Sequence, residues 1–214
     1  MKGILGEHIE FFRQYRNRFE TTGAVAPSSR FLARAMTNPF RQHSQPCRVL
    51  EVGPGTGAVT RRIVRLLKLG DRFDLVELNE NFVGVLQRRF ADDPAFRSVA
   101  DRSQIHKCPI QEFRGGQPYE FIVSGLPLNN FPAAMVREIF GVFFELLAPG
   151  GVLSYFEYMY MRPLRKAVSN RTGRERLGDL EAVLQEYLGR HRFRRDWVFV
   201  NFPPAWVQHL RRDA

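Results

Sequence analysis

The residues best suited to chemistry lie in LEVGPGTGAVT (50–60), where Gly53, Gly55 and Gly57 alternate with Pro54 and Thr56. Glycine reaches backbone conformations that other residues avoid, so such a turn can bend sharply and lay bare peptide groups against a ligand. The spacing is G-x-G-x-G rather than the G-x-G-x-x-G of dinucleotide folds. Glu51 stands just before the turn, and Glu77 follows in FDLVEL (73–78). A carboxylate at that second place can accept both hydroxyls of a ribose. The plainer alternatives are a helix-terminus charge partner for Glu51 and a solvated strand end for Glu77.

Elements of alternating type must position these residues. CRVLEV (47–52), FDLVEL (73–78), SQIHK (103–107), EFIVS (120–124) and VLSYFEY (152–158) read as strands. Between them, 57–69 carries Val59, Ile63, Leu66 and Leu67 at helical spacing, and a second helix starts at Asn79, a good cap. Pro132 suits the first turn of a helix to about Leu147, with a turn at Pro149-Gly150-Gly151. Leu177, Leu180, Val183, Leu184 and Leu188 mark another helix, and 197–201 with 205–210 reads as a closing strand pair across Pro203-Pro204. Such alternation predicts a mostly parallel α/β sheet with an antiparallel edge. Before it, 4–20 puts Leu5, Ile9, Phe12, Tyr15 and Phe19 on one helical stripe, and a serine of Pro27-Ser28-Ser29 can cap a helix to about Met36. This divides the chain into an N-terminal helical extension (1–40) and the main domain (41–214).

The chain has 214 residues, 44% hydrophobic and 25% charged, the balance of a globular domain rather than a disordered or fibrous one. Its net charge is +10, and nearly all of its cations are Arg. Such a surface attracts phosphate, on a nucleic acid or on an anionic membrane; a coding bias towards Arg gives the same composition. Cys47 and Cys108 form no CxxC, so reduced thiols and no metal site are expected. The N-terminus lacks a secretory apolar core, and Glu145 with the Pro-Gly-Gly break interrupts the apolar run 132–156. No transmembrane segment is therefore expected, and the expected location is cytoplasmic.

LEVGPGTG, LVELNENF and LLAPGGVL (146–153) together resemble the motifs of class I S-adenosylmethionine (SAM) methyltransferases. GAVAPSSRFLARAM (23–36), SGLPLNNFP (124–132) and NFPPAWV (201–207) resemble, more narrowly, the bacterial phospholipid N-methyltransferases, which methylate phosphatidylethanolamine and in some members continue to phosphatidylcholine. The resemblance implies a Rossmann-like seven-stranded sheet, SAM as cofactor with S-adenosylhomocysteine as product, a phospholipid substrate, and peripheral attachment to the inner face of the cell membrane. Related ribosomal-RNA adenine dimethyltransferases carry N-L-P-aromatic after the fourth strand. This chain has Ser124-Gly125-Leu126-Pro127-Leu128 there, so RNA is the alternative substrate.

The resemblance also implies site residues. Val25 and Ser28 would meet the cofactor from the N-terminal side. Glu51, Gly53, Gly55, Thr56 and Gly57 would line its methionine end, Glu77 and Leu78 its ribose. Pro109 and Ile110, or Gln111, would meet the adenine, and Ser124, Gly125 and Leu126 the reacting centre. Asn129 could orient the amine, while Asn130 could cap the next helix. Tyr158 and Tyr160 could face a cationic headgroup or pack in the core. Arg162 and Arg165 could fork onto the lipid phosphate or lie in a solvated loop. The stripe beside Arg13, Arg16 and Arg18 suits an interface-lying helix, though a helix packed on the sheet has the same period.

Overall fold

A computed structural model describes residues 29–159, 171–201 and 203–214. The predicted stripe at 4–20, Val25, Ser28, Tyr160, Arg162 and Arg165 lie outside the described residues. Ser29 caps the first described helix, α1 (Arg30–Met36), its hydroxyl accepting from the Leu32 N–H at 3.2 Å. Then follow β1 (Arg48–Val52), α2 (Thr60–Val64), β2 (Arg72–Val76), α3 (Glu80–Asp92), α4 (Pro94–Arg97), β3 (Ser103–His106) and β4 (Tyr119–Ser124). The chain continues as α5 (Ala133–Leu146), β5 (Leu147–Tyr158), α6 (Arg171–His191), β6 (Arg192–Val198) and β7 (Ala205–Arg211).

The strands form one sheet in the order β3-β2-β1-β4-β5-β7-β6. β1 to β5 run parallel, β7 is antiparallel to β5, and β6 closes the edge antiparallel to β7. This is the expected Rossmann-like sheet. Period-two alternation supplies two cores. Leu50 and Val52 of β1 join Met135, Ile139 and Phe143 of α5 and Leu180 and Leu184 of α6 on one face. Val49 joins Leu32 and Met36 of α1, Ile63 of α2 and Leu86 of α3 on the other. The strand order reverses between β1 and β4, and in open α/β sheets ligands bind at the carboxyl ends of strands beside such a switch.

Four boundaries differ from expectation, each for a local reason. The helix expected over 57–69 is confined to Thr60–Val64. Gly57, at φ 81°, cannot begin a right-handed helix, and Asp71 captures the Lys68 N–H at 2.7 Å. β5 runs through the expected Pro149-Gly150-Gly151 turn, because the Gly150 N–H and Gly151 carbonyl pair with Arg212. The bend survives as Gly150 at φ 73° and a shift of register against β4. β6 begins at Arg192 rather than Trp197; an edge strand with exposed Arg192, Arg194 and Arg195 shows no apolar alternation there. Pro132, not Asn130, occupies the cap of α5, and Asn130 closes a short 3-10 turn, Leu128–Asn130.

Two buried polar clusters pin the scaffold. Asp71 accepts from the Cys47 N–H at 3.0 Å and pairs with His43 Nε2 at 2.9 Å. Three ligand-type atoms of His43, Cys47 and Asp71 lie within 4.8 Å of one another. Burial and the Asp71 carboxylate push the Cys47 thiol well up, and its Sγ donates to Asp71 Oδ1 at 3.5 Å, so the three side chains form a hydrogen-bonded clasp. Across the antiparallel strands, Ser154 Oγ meets His209 Nδ1 at 2.8 Å, His209 Nε2 meets Asp196 Oδ2 at 3.4 Å, and Asp196 also accepts from Asn38 Nδ2 at 3.1 Å. His209 is 0% exposed, so this Ser–His–Asp series ties α1 to the sheet and receives no substrate. Among the described residues no helix is long and apolar enough to cross a membrane.

Candidate functional site

β1 delivers its chain into the glycine turn at the switch point. Gly53, Gly55 and Gly57 all take positive φ, 71°, 57° and 81°. The turn is stitched to its neighbours by the Gly53 N–H on the Val76 carbonyl at 2.9 Å and the Gly125 N–H on the Val52 carbonyl at 2.8 Å. A Cβ on Gly125 would lie 2.5 Å from the Gly53 oxygen, and one on Gly53 would lie 2.8 Å from Leu126 Cδ2. A Cβ on Gly55 would meet nothing within 4 Å. The loops after β1 and β4 are therefore pressed together at Gly53 and Gly125, while Gly55 faces open space. Both Ser124 and Val52 end their strands in register, so Gly125 and Leu126 stand directly beside Gly53.

Glu77 straps this turn from β2. Its carboxylate accepts the Gly55 N–H at 3.1 Å and the Asn79 N–H at 2.7 Å, holding the turn to the start of α3. Thr56 is exposed and Leu78 half-buried beside these groups. Glu51 is 1% exposed, and its Oε2 has no hydrogen-bond partner. Burial pushes its carboxyl from the ordinary 4.5 up to about 8; the nearby Thr60 hydroxyl opposes this and the Glu77 charge adds to it. The unliganded fold thus binds a proton that the unfolded chain releases. Its stability falls as pH rises from about 4.5 towards 8 and levels off above. Glu51→Gln removes the ionisation, so melts of the variant should lack this loss and gain on wild type steadily as pH rises towards 8. Parallel pH dependences for the two proteins would contradict the assignment.

Pro109, Ile110 and Gln111 are buried after β3, and Gln111 Oε1 has no hydrogen-bond partner. His106 pairs through Nε2 with Asp74 Oδ1 at 2.8 Å, and Asp74 also accepts from the Tyr119 hydroxyl at 2.8 Å, so this imidazole is fixed in a structural hub. Cys108 is half-buried and free, its thiol pushed up by burial. Asn129 lies in the 3-10 turn beyond β4. Tyr158 ends β5 half-buried, its ring edge-on to Phe156 at 5.1 Å, and burial raises its phenol. One further acid was not singled out from the sequence. Glu157 is 3% exposed at the carboxyl end of β5 and accepts from the Tyr155 hydroxyl at 3.0 Å. An acid inside the otherwise apolar alternation of VLSYFEY was the available signal.

The arrangement suits a nucleoside ligand bearing a cation. An unpartnered buried carboxylate oxygen at the end of β1, the open space over Gly55 just after it, and an unpartnered buried amide oxygen a few residues beyond β3 lie on the carboxyl side of the sheet. SAM, with an ammonium, a sulfonium, a ribose and an adenine, fits such a donor and acceptor set.

Comparison with known proteins agrees. The methyltransferase-domain family matches residues 49–151. An ornithine lipid N-methyltransferase of Singulisphaera acidiphila is 30% identical over 146 residues, covering 67% of this chain and 75% of that protein. A ribosomal RNA small subunit methyltransferase A of a Synechococcus strain is 41% identical over 110 residues, covering 51% of this chain and 35% of the relative; a counterpart from Marinobacter nauticus is covered over 45%. The chain thus spans less than half the length of these RNA enzymes. In three dimensions it resembles N-methyltransferase NodS of Bradyrhizobium japonicum bound to S-adenosylhomocysteine, with TM-score 0.59, 18% identity and coverages of 87% and 89%. An O-methyltransferase of Bacillus cereus with the same product bound gives TM-score 0.62, 15% identity and coverages of 96% and 91%. By sequence match and by strand order alike, the chain belongs to the class I SAM-dependent methyltransferases.

Proposed function

We propose that this methyltransferase transfers methyl groups from SAM to the headgroup amine of phosphatidylethanolamine at a membrane surface. The observation that carries the reading is the match to a lipid-amine methyltransferase across 75% of that protein's length. The loop after β4 supports it, since Ser124-Gly125-Leu126-Pro127-Leu128 departs from the N-L-P-aromatic motif that the ribosomal-RNA adenine dimethyltransferases carry there. Methylation of RNA adenine is the second reading, favoured by the ribosomal RNA relatives and by the +10 charge.

When bound, SAM supplies an electrophilic methyl and a sulfide leaving group. In this reading Glu51 and the turn of Gly53, Gly55, Thr56 and Gly57 hold its cationic amino-acid end. Glu77 and Leu78 hold the ribose, and Pro109, Ile110 and Gln111 the adenine. Val25 and Ser28 contribute from the N-terminal side. The remaining task is to present a neutral amine in line and keep water away. A free primary ammonium has a pKa of about 10 and must lose its proton, which an apolar surround promotes. Leu126 and half-buried Tyr158 supply that surround, with the carbonyls of Ser124 and Gly125 and the Asn129 amide orienting the nitrogen. Tyr160, Arg162 and Arg165 would receive the headgroup, and Arg13, Arg16 and Arg18 the anionic surface.

The test offers labelled SAM to the purified protein with phosphatidylethanolamine vesicles, ornithine-lipid vesicles and RNA in parallel. Label in the phosphatidylethanolamine extract is expected. Label in the ornithine lipid alone would move the headgroup, and label in RNA alone would replace the reading by the second one.

A further inference from the structure

Among the described residues, three of the six large apolar side chains left in solvent gather at one place, whereas Phe31, Leu69 and Phe193 lie outside it. Trp197, Phe199 and Val200 are 54%, 65% and 69% exposed at the tip of the β6–β7 hairpin. The two rings stack on each other at 5.6 Å, and Trp197 meets Trp206 edge-on at 5.7 Å, so the tip is a preformed apolar wedge. Its position follows from register. Val198 and Tyr158 both pair with Ala205, which places the tip beyond the carboxyl end of β5, at the same end of the sheet as the glycine turn. The wedge is held there by Asn201, whose Oδ1 accepts the Ser29 N–H at 3.3 Å and whose Nδ2 donates to the Pro203 carbonyl at 2.8 Å.

The charges beside it are cationic. Arg195 lies over the Trp206 ring at 5.3 Å, and Arg30 lies over half-exposed Phe31 at 4.9 Å, next to the Ser29 anchor. The nearby acid Asp196 is engaged by Arg194 Nε at 2.7 Å and by Asn38, so it does not offset these cations. Trp and Phe beside Arg match the headgroup level of a bilayer, where rings enter the acyl boundary and guanidinium groups meet phosphate. Exposed rings with arginines also suit single-stranded nucleic acid. Here, however, the two rings spend facing surface on each other, and Val200, the most exposed of the three, has no face for a base.

We propose that this hairpin tip inserts into the surface of an anionic phospholipid bilayer and sets the carboxyl ends of β4 and β5 against the headgroups. The proposal rests on the lipid reading above and names the surface by which that reading would be realised. The protein has two tryptophans, Trp197 and Trp206, both on this hairpin, so intrinsic fluorescence reports on it alone. Wild-type protein is titrated with phosphatidylglycerol–phosphatidylcholine vesicles whose acyl chains are brominated. A blue shift with quenching is expected, and Phe199→Ser combined with Val200→Ser, both beyond the end of β6, should weaken vesicle partitioning at least about tenfold while leaving SAM affinity unchanged. Unquenched emission, or a double variant that partitions like wild type, would overturn the proposal. Quenching by a single-stranded oligoribonucleotide but not by vesicles would assign the wedge to nucleic acid instead. Phosphatidylethanolamine methylated without quenching defeats the hairpin alone. Quenching without any lipid methylation defeats the functional reading alone.

Discussion

Glu77→Ala is expected to weaken SAM binding by at least about tenfold, measured by isothermal titration. A charged acceptor contributes about 1.5–3 kcal/mol per hydrogen bond, so loss of even one ribose contact reaches this size. The geometry adds a second route. The same carboxylate holds the Gly55 and Asn79 N–H groups, so its removal also loosens the turn over which the cofactor would lie. The variant should still fold, because both cores are untouched, though with a melting point lowered by a few degrees. Glu77→Gln keeps an acceptor oxygen without the charge and should fall between the two. Wild-type affinity in Glu77→Ala would remove this residue from the site.

Gly125→Ala should have the larger structural effect. The new methyl would sit 2.5 Å from the Gly53 carbonyl oxygen, a backbone atom that cannot rotate aside. Overpacking against side chains costs about 1–3 kcal/mol, and backbone yields less readily. The loops after β1 and β4 must part, so both a melting point at least about 5 °C lower and loss of SAM binding beyond tenfold are expected. Gly55→Ala separates the two effects. Its methyl meets no protein atom, leaving only the left-handed backbone cost of roughly 1–2 kcal/mol, yet it enters the open space above the turn. It should therefore bind SAM poorly while keeping most of its stability. A Gly125→Ala protein with wild-type melting and affinity would show that the close approach is not maintained in solution.

Much of the sheet could be read from short apolar runs, because parallel strands covered on both faces carry them, as FDLV and FIVS do. The edge strand β6 could not, since an edge facing water needs no apolar period and here carries Arg192, Arg194 and Arg195. The short α2 shows the other limit. Its apolar spacing extends to Leu67, but the positive φ of Gly57 and the capture of Lys68 by Asp71 are three-dimensional facts that truncate it. For the candidate site, types and spacing marked the glycine turn, Glu51 and Glu77. They could not tell that Glu77 binds the turn itself, that Glu51 keeps an unpartnered oxygen, or that Glu157 is buried at the end of β5. Those depend on which strands neighbour one another, and hence on the order of the sheet.

The central claim, transfer of a methyl group to a lipid amine, is tested most directly by locating the new bond. Phosphatidylethanolamine bearing a nitrogen isotope is incubated as vesicles with the protein and with SAM carrying an isotopic carbon in its methyl group. Nuclear magnetic resonance of the extracted lipid should then show the labelled carbon coupled directly to the labelled headgroup nitrogen. Labelled carbon found on a lipid oxygen, or still on SAM, would contradict it.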